Sequence, residues 1–281
     1  MTGTTARAAV VVGVDESEAA LAAARWAAEE AVRRDCVLRL FHAGLFDTAD
    51  LSGRERSWEE PLLLERARRW IQRAAQVAQE AAPGVRIEYL VRLGLAADLL
   101  VGLSDEAALI VLGSHGIGGL RGAAIGSVAL RVAASARCPA VIVRGRDKQG
   151  GPVVAGVVGD GDGRTLKFAV EAARDRQVPL ILVHAWHGGR LDDPELVKAA
   201  AEGEERALRR RGDDLARTGP GVTILARAIR ERSAARALLG FEDAQLLVIG
   251  SRGRGSVSGG LLGSTGNRLL AHAMCPVAVV H

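Results

Sequence analysis

Residues 113–127 read GSHGIGGLRGAAIGS, and residues 250–264 read GSRGRGSVSGGLLGS. In each, a glycine is followed by two residues, a second glycine, nine residues and then Gly-Ser. The residues between the fixed points differ, but the spacing does not. Each stretch follows a short apolar run, AALIVL in one case and LLVI in the other, and each leads into a segment patterned as a helix. A glycine loop written twice at the same kind of junction points to a duplicated unit with the loop as its shared feature.

The repetition reaches well beyond the loops. VLRLFHAG (37–44) matches PLILVHAW (179–186), which sets His42 against His184, and SARCPAVIV (135–143) matches HAMCPVAVV (272–280). The histidines are offset by 142 positions and the glycine loops by 137, so the second copy is five residues shorter. The shortening falls most simply in the loop after the histidine strand, FDTADLSGRERS in the first copy. A period near 140 is a domain duplication, since solenoid repeats run ~20–50 residues. The joint is RGRDKQGGP (144–152), charged and then Gly-Gly-Pro, which reads as a linker. The expected domains are residues 1–147 and 148–281.

Within each copy short apolar runs alternate with helical patterns. AAVVVGV (8–14) is a continuous β-branched run, as in a strand buried on both faces. Ser17 is placed to cap the next helix, with Glu18 in its first turn and Arg33 and Arg34 near its end, matching the helix dipole. Strand VLRLFHA, helix PLLLERARRWIQRAAQVAQEA, strand RIEYLVRL, helix AADLLVGLSDE, strand AALIVLG, the glycine loop, a helix from Ser127 and strand AVIVR follow. Such alternation predicts an α/β fold with a parallel, doubly wound sheet and right-handed crossovers. Ligands of these sheets bind at the carboxyl ends of the strands.

Composition narrows the function classes. The chain has 281 residues, 48% hydrophobic and 25% charged, the balance of a soluble globular protein. Aromatics are only 3%, so the cores are expected to rest on Val, Leu, Ile and Ala. No segment reaches the ~18 apolar residues of a membrane span. The start, MTGTTARAAVVVGVDES, makes a poor secretory signal, which sets the expected location in the cytoplasm. The net charge of +4 comes from 37 Lys and Arg against 33 Asp and Glu, with no basic run and no interleaved aromatics, so nucleic acid is not an expected partner. Cys36, Cys138 and Cys275 are too few and too scattered for a disulfide framework or a zinc site. Cys138 and Cys275 each precede proline at the same point of the two copies, as small apolar residues entering a strand.

The glycine loop has the chemistry of an anion site. Gly113 ends a buried strand, and Gly126-Ser127 begins a helix. Glycines permit positive φ and close approach of a ligand to the backbone. A turn rich in them presents consecutive N–H groups inward, and the helix start adds free N–H groups and a positive dipole end. The loop is not a Walker A motif, because no Gly-Lys-Ser/Thr occurs, and Arg121 stands where the Rossmann fingerprint needs glycine. Lysines occur only at 148, 167 and 198. Phosphate binding would therefore rest on backbone amides, on Ser127 or Ser264, and on Arg121, Arg252 or Arg254. The alternative is a glycine-rich connection that binds nothing.

The other half of a site would lie at the end of the first strand, GVDES. Asp15 there is able to accept hydrogen bonds from an adenine amine or a ribose hydroxyl, or else is a turn aspartate at a helix start. In the second copy Val158 stands opposite Asp15, and in the GDGDG that follows Asp160 or Asp162 is the candidate replacement, neither of them aligned.

These residues resemble the universal stress protein family in a tandem-domain form, over nearly all of both halves. The specific part is Gly-x2-Gly-x9-Gly-Ser/Thr after the fourth strand, met by Gly113, Gly116, Gly126 and Ser127 and again by Gly250, Gly253, Gly263 and Ser264. The GVDES start and the Cys-Pro approach to the last strand are similar too. The resemblance implies two tandem Rossmann-like domains of the adenine-nucleotide alpha hydrolase-like kind, each with a five-stranded parallel sheet and ATP, with or without Mg²⁺, across the strand ends. Members with the motif tend to bind ATP and members without it do not.

The resemblance also implies the contacts. Asp15 would lie near the adenine and ribose, with Val14 and Ser17 also at the nucleotide and residues near Phe41 and His42 flanking the base. Gly113, Ser114, His115, Gly116, Gly126, Ser127 and Val128 would hold the phosphates, and Gly250, Gly253, Gly263, Ser264 and Thr265 would do so in the second half. It implies an internal pseudo-dimer through the last strands and leaves a homodimer open. The function expected is that of an ATP-binding regulatory or stress-response protein and not an efficient enzyme. Two alternatives stand beside it. One is a slow ATP hydrolase or adenylate-handling enzyme, for which His115 is the one candidate base. The other is an interaction module with degenerate nucleotide sites. Trp26 and Phe168 read as core residues, His42 and His184 as satisfied histidines at the pocket rim, and the arginines of the second helices (Arg66, Arg68, Arg69, Arg206, Arg209, Arg210, Arg211) as solvated faces.

Overall fold

The run AVVVG at Ala9–Gly13 (β1) forms a strand whose first four side chains are all buried. That accounts for the absence of polar alternation, since a central parallel strand has no wet face. The computed structural model describes residues 9–44, 60–116, 125–145, 148–158, 162–188, 193–218, 221–251 and 262–281. Contacts divide the chain into two units, Met1–Val143 and Arg144–His281.

In the first unit β1 is followed by α1 (Glu18–Arg33), β2 (Val37–Gly44), α2 (Glu60–Ala81), β3 (Ile87–Leu93), α3 (Ala96–Leu103), β4 (Ala107–Gly113), α4 (Ser127–Ser135) and β5 (Ala140–Val143). The strands lie in the order β3-β2-β1-β4-β5 and pair in parallel. Val12 pairs with Leu40 on one side and Val111 on the other. The connection after β1 runs one way to β2, while the later strands continue on its other side. The carboxyl ends of β1 and β4 therefore flank the point where strand order reverses, the usual crevice of such sheets.

Local signals set the elements. Ser17 caps α1, its Oγ accepting from Ala20 N–H at 3.1 Å, with Glu18 in the first turn and Arg33 in the last. Glu30, only 1% exposed, is bound by Arg34 Nε at 2.5 Å and lies 3.5 Å from Arg33, so its buried charge is paired. Helix α3 ends three residues before the sequence pattern does. Ser104 is buried there, its Oγ donating to Val101 O at 2.5 Å and accepting from Arg137 N–H at 2.9 Å. That engagement turns the chain toward β4.

The second unit repeats the order with β6 (Val153–Gly156), α5 (Gly163–Arg176), β7 (Leu180–Trp186), α6 (Pro194–Thr218), β8 (Ile224–Arg230), α7 (Ala234–Leu239), β9 (Leu246–Gly250), α8 (Ser264–His272) and β10 (Val277–Val280). Its strands lie in the order β10-β9-β6-β7-β8, again parallel. The end of the linker packs on this unit. A Cβ at Gly151 would run into the backbone carbonyl oxygen of Asp243, and the Gln245 side chain donates to Gly151 O. Trp26 and Phe168 are both buried on the first helix of their unit, as core residues.

Candidate functional site

At the end of β1 the backbone is held by its neighbour. Val14 N–H donates to Phe41 O at 2.8 Å, and His42 Nδ1 donates back to Val14 O at 2.7 Å. A carbonyl only accepts, so the proton sits on Nδ1 of His42. The chain then turns on Asp15, whose Oδ1 accepts from Ser17 N–H at 2.9 Å and from Ser17 Oγ at 2.5 Å. Asp15 is thus a turn aspartate, and the helix cap itself is Ser17. Its second oxygen faces the glycine loop, where a Cβ at Gly116 would stand 2.5 Å from Oδ2.

The loop packs against this corner. A Cβ at Gly113 would lie 2.6 Å from the backbone carbonyl carbon of Ala19, so only glycine lets α1 start so close to the end of β4. Ser114 is buried, its Oγ hydrogen-bonded to His115 Nδ1 at 2.5 Å, and its carbonyl accepts from Gly126 N–H at 2.8 Å. That last bond draws the two ends of the motif together. Gly126 is the N-cap of α4 and offers no side chain to the first turn, and the first intrahelical partner is Leu130 N–H to Gly126 O at 2.9 Å. The amides before it are the free donors of a helix start, beside an exposed Ser127. The expectation of positive φ is corrected here. Gly126 has φ −67 and ψ 146, and neither Gly113 nor Gly116 is among the positive-φ glycines. Close approach is the reason for glycine at 113 and 116.

Together these elements enclose a cavity of about 540 Å³. Val14, Asp15, Phe41 and His42 line it from the ends of β1 and β2. Gly113, His115, Gly116, Gly126, Ser127 and Val128 line it from the loop and α4. Ser17 and Ser114, also expected at the site, stand behind Asp15 and His115 as their hydrogen-bond partners. The sequence reading missed the apolar wall of Ala96, Leu100, Leu112 and Ile125. A leucine at the end of a buried strand (Leu112) was the available signal. Ala96 and Leu100 come from α3, which no motif marks.

Outside the cavity mouth Glu16 is held by Arg66 of α2, with Arg66 Nη2 2.6 Å from Oε2 and Nε also on the carboxylate. The Arg66 hydrogen bond is the main cause that holds the Glu16 carboxyl below its ordinary value, with help from Trp70 and His42. Arg66 is therefore not merely part of a solvated face. Arg206 and Arg209 pair along their own helix with Glu202 and Glu205.

The second unit keeps part of this design. Val157 N–H donates to Val183 O at 2.8 Å and His184 Nδ1 to Val157 O at 2.9 Å, as in the first unit. His184 Nε2 also lies 3.6 Å from Glu204 Oε2. No carboxylate stands at Val158, but Asp162 folds back so that its Oδ2 accepts from Val158 N–H at 2.6 Å. Gly250 ends β9, and Gly263 caps α8, which opens Ser264-Thr265. Gly253, with Gly118, Gly119, Gly122, Arg121, Asp160, Arg252 and Arg254, lies outside the described residues. No helix among the described residues is long and apolar enough to cross a membrane.

A doubly wound α/β unit, present twice and carrying a Gly-x2-Gly-x9-Gly-Ser loop beside its switch point, defines the class. Residues 7–144 and 152–281 each match the model of the Universal stress protein family, and the chain belongs to that family. It is 32% identical to a universal stress protein of Mycobacterium tuberculosis over 96% of this chain and 95% of that protein. A universal stress protein of Mycobacterium bovis is likewise 32% identical, over 96% of each. Among solved structures, a universal stress protein from Archaeoglobus fulgidus superposes with a TM-score of 0.73, at 18% identity, covering 97% of this chain and 95% of that one. That structure shares the fold.

Proposed function

We propose that the first unit binds ATP, with or without Mg²⁺, in the cavity between β1 and β4, and that the protein serves a regulatory role in a cytoplasmic stress response. The observation that carries this reading is the convergence of the strand-end residues and both ends of the glycine motif on one cavity of about 540 Å³. That volume falls within the ~300–1,000 Å³ of small-molecule sites. Asp15 and the rim at His42 and Phe41 would take the adenosine. The amides at the start of α4, with Ser127 and Gly116, would take the phosphates, in line with anion binding at helix N-termini. Mg²⁺ would arrive with the phosphates. The apolar wall at Leu100 and Leu112 would exclude water from the base.

The test is direct. The protein is purified without added nucleotide and denatured, and the released compounds are identified by chromatography and mass spectrometry. ATP at about one per chain supports the reading. If nothing is released, calorimetric titration with ATP decides, and no binding at millimolar ATP refutes it. A second reading, slow hydrolysis, has one observation in its favour: His115 lines the cavity with its Nδ1 held by Ser114 Oγ. Multiple turnovers of labelled ATP, lost in His115→Ala, would establish it, and retention of intact ATP would exclude it.

A further inference from the structure

The second unit holds a cavity of about 580 Å³ whose described lining includes no residue of the glycine motif. It opens where the carboxyl ends of β7 and β8 meet the first turns of α6. Pro194, Val197, Lys198 and Ala201 line it from one face of α6, at the i, i+3, i+4, i+7 spacing that a single helical face requires. Trp186, Ala228 and Arg230 line it from the strands.

Three of these residues carry the chemistry. Trp186 is 7% exposed, and its indole Nε1–H is buried without an acceptor among the described residues. Indole is a donor only, and buried tryptophan N–H groups ordinarily find a partner. Arg230 is the register neighbour of Trp186 across β7 and β8. Arg230 and Lys198 are exposed and form no ion pair among the described residues, so two cations without a described counter-ion line the cavity with Trp186. No carboxylate among the described residues lines the cavity. Asp193 accepts from Glu195 N–H at 2.8 Å, and Glu231 is taken by Ser233 N–H at 3.2 Å and by Arg236.

The tryptophan–arginine pair belongs to one half only. Glu231 N–H donates to Trp186 O at 3.0 Å just as Gly94 N–H donates to Gly44 O at 2.9 Å, so Trp186 occupies the place of Gly44. By the same register Arg230 stands where the first unit has Leu93. A glycine and a leucine in one half are thus a tryptophan and an arginine in the other.

We propose that this cavity is a binding site for a small organic anion, a carboxylate or phosphate carried on a planar apolar body. The body would lie against Trp186, Val197 and Ala201. The anionic group would accept from Lys198 and Arg230, and from the indole N–H after a small turn of the ring. Charge-assisted contacts to two cations favour the anion over a neutral analogue.

The experiment follows the indole N–H resonances of the ¹⁵N-labelled full chain, which has four tryptophans. Trp186 is assigned with Trp186→Phe, and the probes are benzoate, phenyl phosphate and neutral benzamide. A saturable shift of the Trp186 resonance with benzoate or phenyl phosphate is expected, and which one binds tighter identifies the head group. The affinity should fall about tenfold or more in Lys198→Ala/Arg230→Ala, whose exposed side chains leave the fold intact. ATP should leave that resonance in place. No shift at millimolar anion, an equal response to benzamide, unchanged affinity in the double variant, or a saturable Trp186 shift with ATP would each overturn the proposal. None of these outcomes bears on whether ATP binds the first unit.

Discussion

Gly116 lies against Asp15 so closely that a Cβ at position 116 would stand 2.5 Å from Asp15 Oδ2. Asp15 has little room to yield, because its other oxygen is bound by both the N–H and the Oγ of Ser17. Gly116→Ala should therefore displace the carboxylate and lower ATP affinity by about tenfold, a loss of ~1.4 kcal/mol. A control in the second unit is Gly263→Ala, where an added Cβ meets nothing within 4 Å among the described residues. Calorimetric titration of both variants checks this, and equal affinities in the two would remove Asp15 and Gly116 from the site.

Gly113 gives a different outcome from the same kind of change. Its Cβ would meet the Ala19 backbone at 2.6 Å, and a helix cannot retreat as a side-chain tip can. Gly113→Ala should destabilise the first unit by ~1–3 kcal/mol, the usual cost of overpacking. Thermal melting of the variant measures it. A melt indistinguishable from the parent protein would mean that α1 and β4 pack less closely than described.

ATP should bind with a stoichiometry near one per chain. In the first unit Asp15 stands at the strand end, whereas in the second Val158 does, and Asp162 Oδ2 is spent on Val158 N–H at 2.6 Å. Two equivalents of matched affinity in a calorimetric titration would show that the position of the carboxylate does not matter.

How much of this was legible in the sequence depended on the range of the contacts. The glycine spacing, the buried β1 run and the Ser17 cap are local signals, and each led to the right element. The repeated histidines were legible as a pair, and each binds the carbonyl at its first strand's tip. The Arg66–Glu16 pair spans 50 residues, and a surface arginine in a sequence carries no sign of its partner. Helix α3 overran in the reading because Ser104 stops it through Arg137, 33 residues away. Positive φ in the glycine loop was expected from residue type, while the φ of −67 at Gly126 reflects its role as an extended N-cap.

The Glu16–Arg66 pair should tie stability to acid. The Glu16 carboxyl is held below its ordinary value of 4.5 in the folded chain, mainly by the Arg66 hydrogen bond. The folded state therefore binds that proton less readily than the unfolded one. The pair's contribution is present above pH 4.5 and is lost as pH falls through the lowered value. Arg66 is 58% exposed, so solvent screens the pair and the effect is small. Glu16→Gln should remove a shallow part of the acid limb in denaturant titrations between about pH 5 and 3 and leave neutral stability nearly unchanged. An unaltered acid limb would mean that the pair does not persist in solution.

The cysteines predict the alkaline limb. Burial pushes the Cys138 thiol from 9.0 up to about 12 and the Cys275 thiol up to about 11. In the unfolded chain both ionise near pH 9, while the folded chain keeps them neutral. Their contribution is thus complete below pH 9 and declines as pH rises toward 11 and 12. The reactive species is the thiolate, so both should resist alkylation in the native protein. Cys36, only partly buried, is the accessible thiol. Iodoacetamide at pH 8 should label Cys36 first, with Cys138 and Cys275 labelled only after denaturation, as peptide mass mapping would read. Rapid native labelling of Cys138 would show that the strand entry at Pro139 opens far more often than its burial allows.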